Sequence, residues 1–288
     1  MPDQPITLDA MQVVAYQGEP GAYSHLACNH TFPDFNSVHC ATFLDALNMV
    51  ERGEALYAMI PVENSTAGRV EEIYRELKHT QLFVVKEHFE PVNHCLIAPH
   101  SMALDDISRI GSHPQALAQC DANIKALGAK PQAMYDTAGA AKHIAEVNDP
   151  GLAVISSSLA ADLYGLNILK TFFNDAEGNT TRFLVFSRQQ KMPVYEKDRM
   201  YITSFMFRVR NIPAALYKGM GGFATQGINM LKLESYMVNG HFTATQFYVD
   251  VEAHFQSSAM QAALEELRFF SEEVRILGTY LADNYRLK

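Results

Sequence analysis

In "NTTRFLVFSR", residues 179–188, an asparagine, two threonines and an arginine stand at the head of the apolar run Phe183-Leu184-Val185-Phe186. Such a run predicts a strand buried on both faces, which delivers polar side chains to its mouth. A guanidinium matches a carboxylate bidentately, so Arg182 is the natural counter-charge for a carboxylate ligand. The plain alternative is a surface ion pair, worth ~0–1 kcal/mol, which gives no reason for an arginine beside a buried strand. Asn179, Thr180 and Thr181 add neutral donors. Hydroxyls and amides recur where a strand gives way to a helix: Ser24, Asn64-Ser65-Thr66, Ser112, Thr137 and Ser156. Taken singly, each is an ordinary helix cap. Several along one parallel sheet gather at one edge, where helix N-termini favour anions and open α/β sheets bind ligands. A small anionic substrate, a carboxylate, is expected there. His113 is a general acid or base in one reading and a hydrogen-bonded structural histidine in the other, and Glu63 is equally open.

Other chemistries fail on spacing or balance. Gly18 and Gly21 form neither GxGxxG nor a P-loop; they serve a sharp turn, either with a close ligand or without one. No nearby carboxylate pair supports glycosidase chemistry. Cys28, Cys40, Cys95 and Cys120 make no CxxC pair, and the eleven histidines form neither HxxxH nor HExxH, so no metal site is expected. The net charge of −9, without a basic stripe, argues against a nucleic-acid surface. No apolar run is long enough to span a membrane. The opening "MPDQPITLDAMQVVAYQG" lacks the charge pattern of a signal peptide, so reduced thiols and a cytoplasmic location are expected.

These residues need elements to position them. "VVAYQG", "ALYAMIPV", "ISRIGS", "QAMYD" and "LAVIS" read as strands, each passing through a short polar loop into an amphipathic helix. Alternation of this kind predicts α/β layers with mostly parallel strands. "RQQKMPVYEKDR" reads as a linker. Beyond it, "TSFMFRVRN", a helix from Pro213 to a stop at Gly227, two strands about Asn239-Gly240, a helix with Met260, Leu264 and Leu267 on one face, and "VRILGTYL" give the order βαββαβ of a ferredoxin-like domain. The expected division is 12–188, a linker at 189–200, and 201–284.

Five ordered segments, "GEPGAYSHLA", "IPVENSTAGRVEEIYREL", "GSHPQALAQC", "DTAGAAKHIAE" and "NTTRFLVFSR", resemble the signature segments of prephenate dehydratase. "IPAALYKGMGGFATQGINMLKLES" resembles the ACT regulatory domain that follows them in that family. The resemblance implies decarboxylative dehydration of prephenate to phenylpyruvate in phenylalanine biosynthesis, with no metal or organic cofactor. It implies two α/β lobes arranged like a periplasmic binding protein, with the site in their cleft. By position it assigns catalysis to Thr181, Arg182, Asn64, Ser112 and Gln119. Substrate contacts fall to Gly21, Ser24, Glu63, Ser65, His113, Gln115, Thr137 and Phe183. Thr181 is expected to donate a hydrogen bond to the leaving hydroxyl while Arg182 and helix N-termini hold carboxylate charge.

In the ACT segment the resemblance implies phenylalanine as effector at a subunit interface of a homodimer or homotetramer. The contacts would come from Asn211, Ile212, Pro213, Ala214, Ala215, Leu216, Glu234 and Ser235. Two departures alter the rim of that pocket: Ala214 replaces the usual glycine, and Tyr236-Met237 replace the arginine and proline that usually follow Glu-Ser. A domain that only dimerises is the plain alternative. A single-function enzyme is expected, since the first signature segment begins too early for a preceding mutase domain. The competing functions are an arogenate dehydratase and a non-catalytic amino-acid sensor; the sensor lacks a visible DNA-binding element.

Overall fold

The computed structural model describes residues 12–147, 149–237 and 244–287, and the expected Asn239-Gly240 turn lies outside them. The chain divides into two compact units, residues 1–80 with 88–184 and residues 81–87 with 185–288.

The first unit is built around two sheets. In chain order its elements begin β1 (Val13–Gln17), α1 (Tyr23–Thr31), β2 (Asn36–Cys40), α2 (Phe43–Arg52), β3 (Tyr57–Asn64), β4 (Gly68–Arg69), α3 (Glu71–Glu76) and β5 (Phe83–Pro91). There follow β6 (Cys95–Ala98), β7 (Arg109–Ser112), α4 (Pro114–Gln119), α5 (Asp121–Ala126), β8 (Lys130–Ala133), α6 (Thr137–Glu146), β9 (Leu152–Ser156), α7 (Ser158–Tyr164), β10 (Asn167–Lys170) and β11 (Thr180–Ser187). The first sheet has the order β2-β1-β3-β11-β5, with β4 paired to β3; the second has the order β10-β6-β9-β7-β8. Residues 83–87 of β5 and 185–187 of β11 are counted with the second unit.

Local chemistry explains the element ends. Thr42 and Asp45 close a reciprocal capping box at the start of α2, and Gly53 ends that helix in the left-handed region. Pro114 opens α4, where its missing N–H costs nothing. The stretch "HPQALAQCDANIKALG" that follows "ISRIGS" holds two helices, because Cys120 leaves helical geometry at φ −125°, ψ 15°. The sheets are also less parallel than expected. β6 runs antiparallel to both β9 and β10, whereas β1–β2, β1–β3, β7–β8 and β7–β9 are parallel. "CLIA" is a fully buried four-residue strand with no helix after it, so it falls outside a strand–helix rhythm.

The second unit runs β12 (Tyr201–Val209), α8 (Ala215–Thr225), β13 (Met230–Met237), β14 (Ala244–Glu252), α9 (Ser258–Phe270) and β15 (Ser271–Leu281). Its sheet order is β13-β14-β12-β15. Phe205, Phe207, Phe223, Met260, Leu264 and Leu267 fill its core. Phe205 stacks on Phe223 at 5.6 Å between ring centres. Pro213 precedes α8 rather than opening it. The N-cap is Ala214, held at φ 60°, ψ 22°, a left-handed conformation that glycine adopts more readily.

Candidate active site

A cavity of about 470 Å³ opens between the lobes of the first unit, within the usual range for a small-molecule site. The first lobe contributes Asn64 and Arg69, from β3 and β4, and Asn179 and Thr181, from the entry to β11. The second contributes His113, Gln115 and Gln119 along α4, with Asp136 and Thr137 at the start of α6. Gln115 and Gln119 are four apart and so share one helix face. Val92 and His94 line the connection between the lobes, and Tyr23 reaches in from α1.

The polar groups form one connected network whose orientation is fixed at a single point. Asn64 Oδ1 accepts the backbone N–H groups of Thr66 at 3.0 Å and Ala67 at 2.9 Å. A backbone amide can only donate, so the carboxamide oxygen of Asn64 must face that turn. Its Nδ2 therefore donates toward Thr181 Oγ1 at 3.0 Å and Asn179 Oδ1 at 2.7 Å. Asn179, its oxygen now placed, donates from Nδ2 to Gln119 Oε1 at 3.0 Å. Gln119 then donates from Nε2 to Thr66 Oγ1 at 2.8 Å. The same Gln119 oxygen accepts His94 Nε2–H at 3.0 Å. That tautomer leaves His94 Nδ1 as an acceptor for the Tyr23 hydroxyl at 2.8 Å, whose one proton is shared with the Asn93 carbonyl at 3.0 Å.

Two consequences follow for charge. Burial lowers the His94 pKa from its ordinary value, against the opposing hydrogen bond to Gln119, and keeps the ring neutral. Burial likewise raises the Tyr23 pKa well above the usual phenol value, so Tyr23 stays a donor. The network is thus a neutral chain of donors and acceptors. Thr181 receives a hydrogen bond from Asn64, and its own hydroxyl proton is left to point elsewhere.

The loop after β1 braces the lobes against each other. Ser157 Oγ donates to the Gly21 carbonyl, Tyr164 OH donates to the Pro20 carbonyl at 3.0 Å, and Lys142 pairs with Glu19 at 3.2 Å. Gly21 has φ +92°, and a Cβ on it would lie 2.7 Å from Ala160 Cα. Only glycine fits there.

The structure brings Asn64, His113, Gln115, Gln119, Thr137 and Thr181 to the cavity and leaves other expected residues out of its walls. Arg182 is the largest difference. Successive strand residues face opposite ways, so with Thr181 turned to the cavity Arg182 points to the other face. It is buried there, with Nη1 2.9 Å from Glu63 Oε1. The Glu63 side chain is itself 32% exposed, so the pair runs from a buried guanidinium to a partly exposed carboxylate. Ser112 is fully buried and donates to the Ile155 carbonyl at 2.7 Å, beneath the site. Phe183 packs in the core, and Ser24 lies buried in the first turn of α1. Ser65 holds the chain in place, donating to the Gly178 carbonyl at 3.2 Å and accepting from Thr180 N at 3.0 Å. Gly21 acts on the lobe contact. The first turn of α6, expected to meet an anion, is capped by the Asp136 carboxylate, which accepts from Gly139 N.

Sequence reasoning missed Tyr23, Arg69, Val92, His94 and Asp136. Arg69 sat in a quoted segment and is, among the described residues, the one arginine or lysine along the cavity wall. It pairs with Glu71 at 2.6 Å and keeps its side chain 37% exposed. The free cysteines are all buried, and burial, with Asp175 adding, pushes the Cys120 thiol up to about 12, far from a nucleophilic thiolate. No helix among the described residues is long and apolar enough to cross a membrane.

In the second unit, Asn211, Ile212, Pro213 and Ala214 are exposed ahead of α8, Ala215 is buried and Leu216 packs against the core. Glu234 pairs with Lys232 at 3.3 Å, and Ser235 is exposed.

Two α/β lobes flanking a cavity lined by a neutral hydrogen-bonding network, with Arg69 and Asp136 in its wall, are the architecture of a small-molecule cleft. The family model for prephenate dehydratase matches residues 14–191, and the chain belongs to that family. It is 44% identical to a bifunctional N-acyl-homoserine lactone acylase/prephenate dehydratase of Komagataeibacter europaeus, over 98% of this chain and all of that one. It is 38% identical to arogenate dehydratase/prephenate dehydratase 2 of Arabidopsis thaliana, over 95% of this chain and 74% of that one. The crystal structure of a prephenate dehydratase from Arthrobacter aurescens in complex with L-Phe superposes with a TM-score of 0.86 at 29% identity, covering 94% of this chain and 90% of that one.

Proposed function

We propose that this chain converts prephenate to phenylpyruvate, carbon dioxide and water. The observation that carries this reading is the fixed orientation of Asn64, which makes Thr181 Oγ1 an acceptor at 3.0 Å and frees its proton for a ligand in the cavity. In the reaction the bond from the ring to its carboxylate breaks and its electron pair enters the ring. The carbon–oxygen bond opposite breaks as the ring becomes aromatic, and the oxygen leaves with its electron pair. A threonine hydroxyl is too weak an acid to transfer its proton outright, so Thr181 donates a hydrogen bond to the departing oxygen, which solvent neutralises. Such a placed donor is worth ~2.7–4 kcal/mol of the barrier. Because the network is neutral, carboxylate charge on the substrate goes to Arg69, whose guanidinium exchanges Glu71 for the ligand. Arg182 acts indirectly, by holding Glu63 and the strand register behind the site.

Arogenate, which differs by an amino group in place of the keto group, is the second reading; the Arabidopsis relative supports it. For the second unit we propose an ACT role, with phenylalanine bound near residues 211–216 and 234–235 of a homo-oligomer, and inhibition through a shift between two states of different affinity. The test is direct. Purified protein is given prephenate, arogenate or an acyl-homoserine lactone, and phenylpyruvate, phenylalanine or fatty acid release is followed. Phenylpyruvate from prephenate is expected; turnover of either other compound with none of prephenate would overturn the reading.

A further inference from the structure

Away from the cavity, the buried Glu90 carboxylate receives two imidazoles on the same oxygen: His30 Nδ1 lies 2.9 Å and His88 Nε2 2.8 Å from Oε2. His88 and Glu90 are two apart on β5 and so share one strand face, while His30 comes from the last turn of α1. A buried carboxylate is costly without a counter-charge, and among the described residues the ion-pair partners of Glu90 are these two histidines alone. An ion held by all three side chains would supply that charge. The three ligand atoms lie within 4.8 Å of one another. Zinc takes imidazole nitrogen and carboxylate oxygen at about 2.0–2.2 Å, so modest side-chain adjustment closes the set around one ion. His30, 58% exposed, has the freedom to make it and leaves a fourth position open to water.

We propose that His30, His88 and Glu90 form a binding site for a divalent transition-metal ion, zinc being the best match to two imidazoles and one carboxylate. The ion gives Glu90 its counter-charge and staples α1 to β5. Those elements lead to Tyr23 and His94, whose hydrogen bond lines the cavity, so the ion has a positioning role on one wall of the site.

The test uses the full chain, freed of metal with a chelator and titrated with zinc chloride by calorimetry. One ion per chain is expected, with a raised thermal midpoint. His88→Ala and Glu90→Gln should each weaken binding at least about tenfold; His30→Ala, at an exposed position, does the same should the buried variants fail to fold. X-ray absorption of the loaded protein should show nitrogen and oxygen neighbours and no sulfur. Absence of uptake, uptake unchanged in all three variants, or a sulfur shell from the cysteines would each overturn the proposal.

Discussion

At the residue scale, Asn64 sets the site because two backbone amides leave its carboxamide one orientation. Its candidacy was legible in the segment "PVENS", as was that of Gln119 and Thr181 in theirs, and all three line the cavity. What each touches was not, since Asn64 and Thr181 are 117 positions apart. Arg182 shows the limit clearly: its charge was visible, but strand alternation and the partly exposed Glu63 decide where it points. Arg69→Ala should raise the Michaelis constant for prephenate by the ~1.5–3 kcal/mol of a charge-assisted hydrogen bond, about 10–100-fold, with turnover less affected; unchanged steady-state kinetics would remove it from the site. Buried His94 and half-buried His25 predict a pH dependence of stability. His94 and His25 both have pKa values lowered by burial, so the folded chain binds fewer protons than the unfolded one below the ordinary histidine value of about 6.5. Stability present above that pH is lost as pH falls toward the lowered values. In His94→Gln, urea unfolding between neutral pH and pH ~5 should show a shallower loss; an identical slope would mean His94 is not the titrating group.

Among the elements, strands followed by helices were read well because apolar runs and capping residues are local signals. The strands β5, β6 and β10 were not, since they join the sheets through pairing with distant segments and have no helix of their own. The His30–His88–Glu90 cluster escaped for the same reason: its spacing fits no sequence motif until α1 and β5 are packed. Gly21 reads as a sharp turn with or without a close ligand, and its close neighbour in the structure is the backbone of α7. Gly21→Ala adds left-handed strain of ~1–2 kcal/mol and overpacking of ~1–3 kcal/mol. A loss of ~2–5 kcal/mol in denaturant unfolding is expected; a loss below ~0.5 kcal/mol would show that the loop does not brace the lobes as described.

For the whole molecule, the α/β first unit and the βαββαβ order of the second followed from alternation of periods, which is set by which faces must be buried. Their division point was harder to read, because residues 81–87 belong with the second unit although they lie inside the first in sequence. That arrangement comes from packing and leaves no compositional mark. If the second unit binds phenylalanine as proposed, millimolar L-phenylalanine should raise the thermal midpoint and depress phenylpyruvate formation from prephenate. No shift in either quantity would leave that unit a structural one.

The proposed reaction turns on a threonine proton, freed by Asn64, that stabilises the departing oxygen. Its most direct test compares Thr181→Ala with the unsubstituted chain in steady-state conversion of prephenate. Turnover should fall ~100–1000-fold with the Michaelis constant nearly unchanged. Turnover within a few-fold of the original would contradict the account.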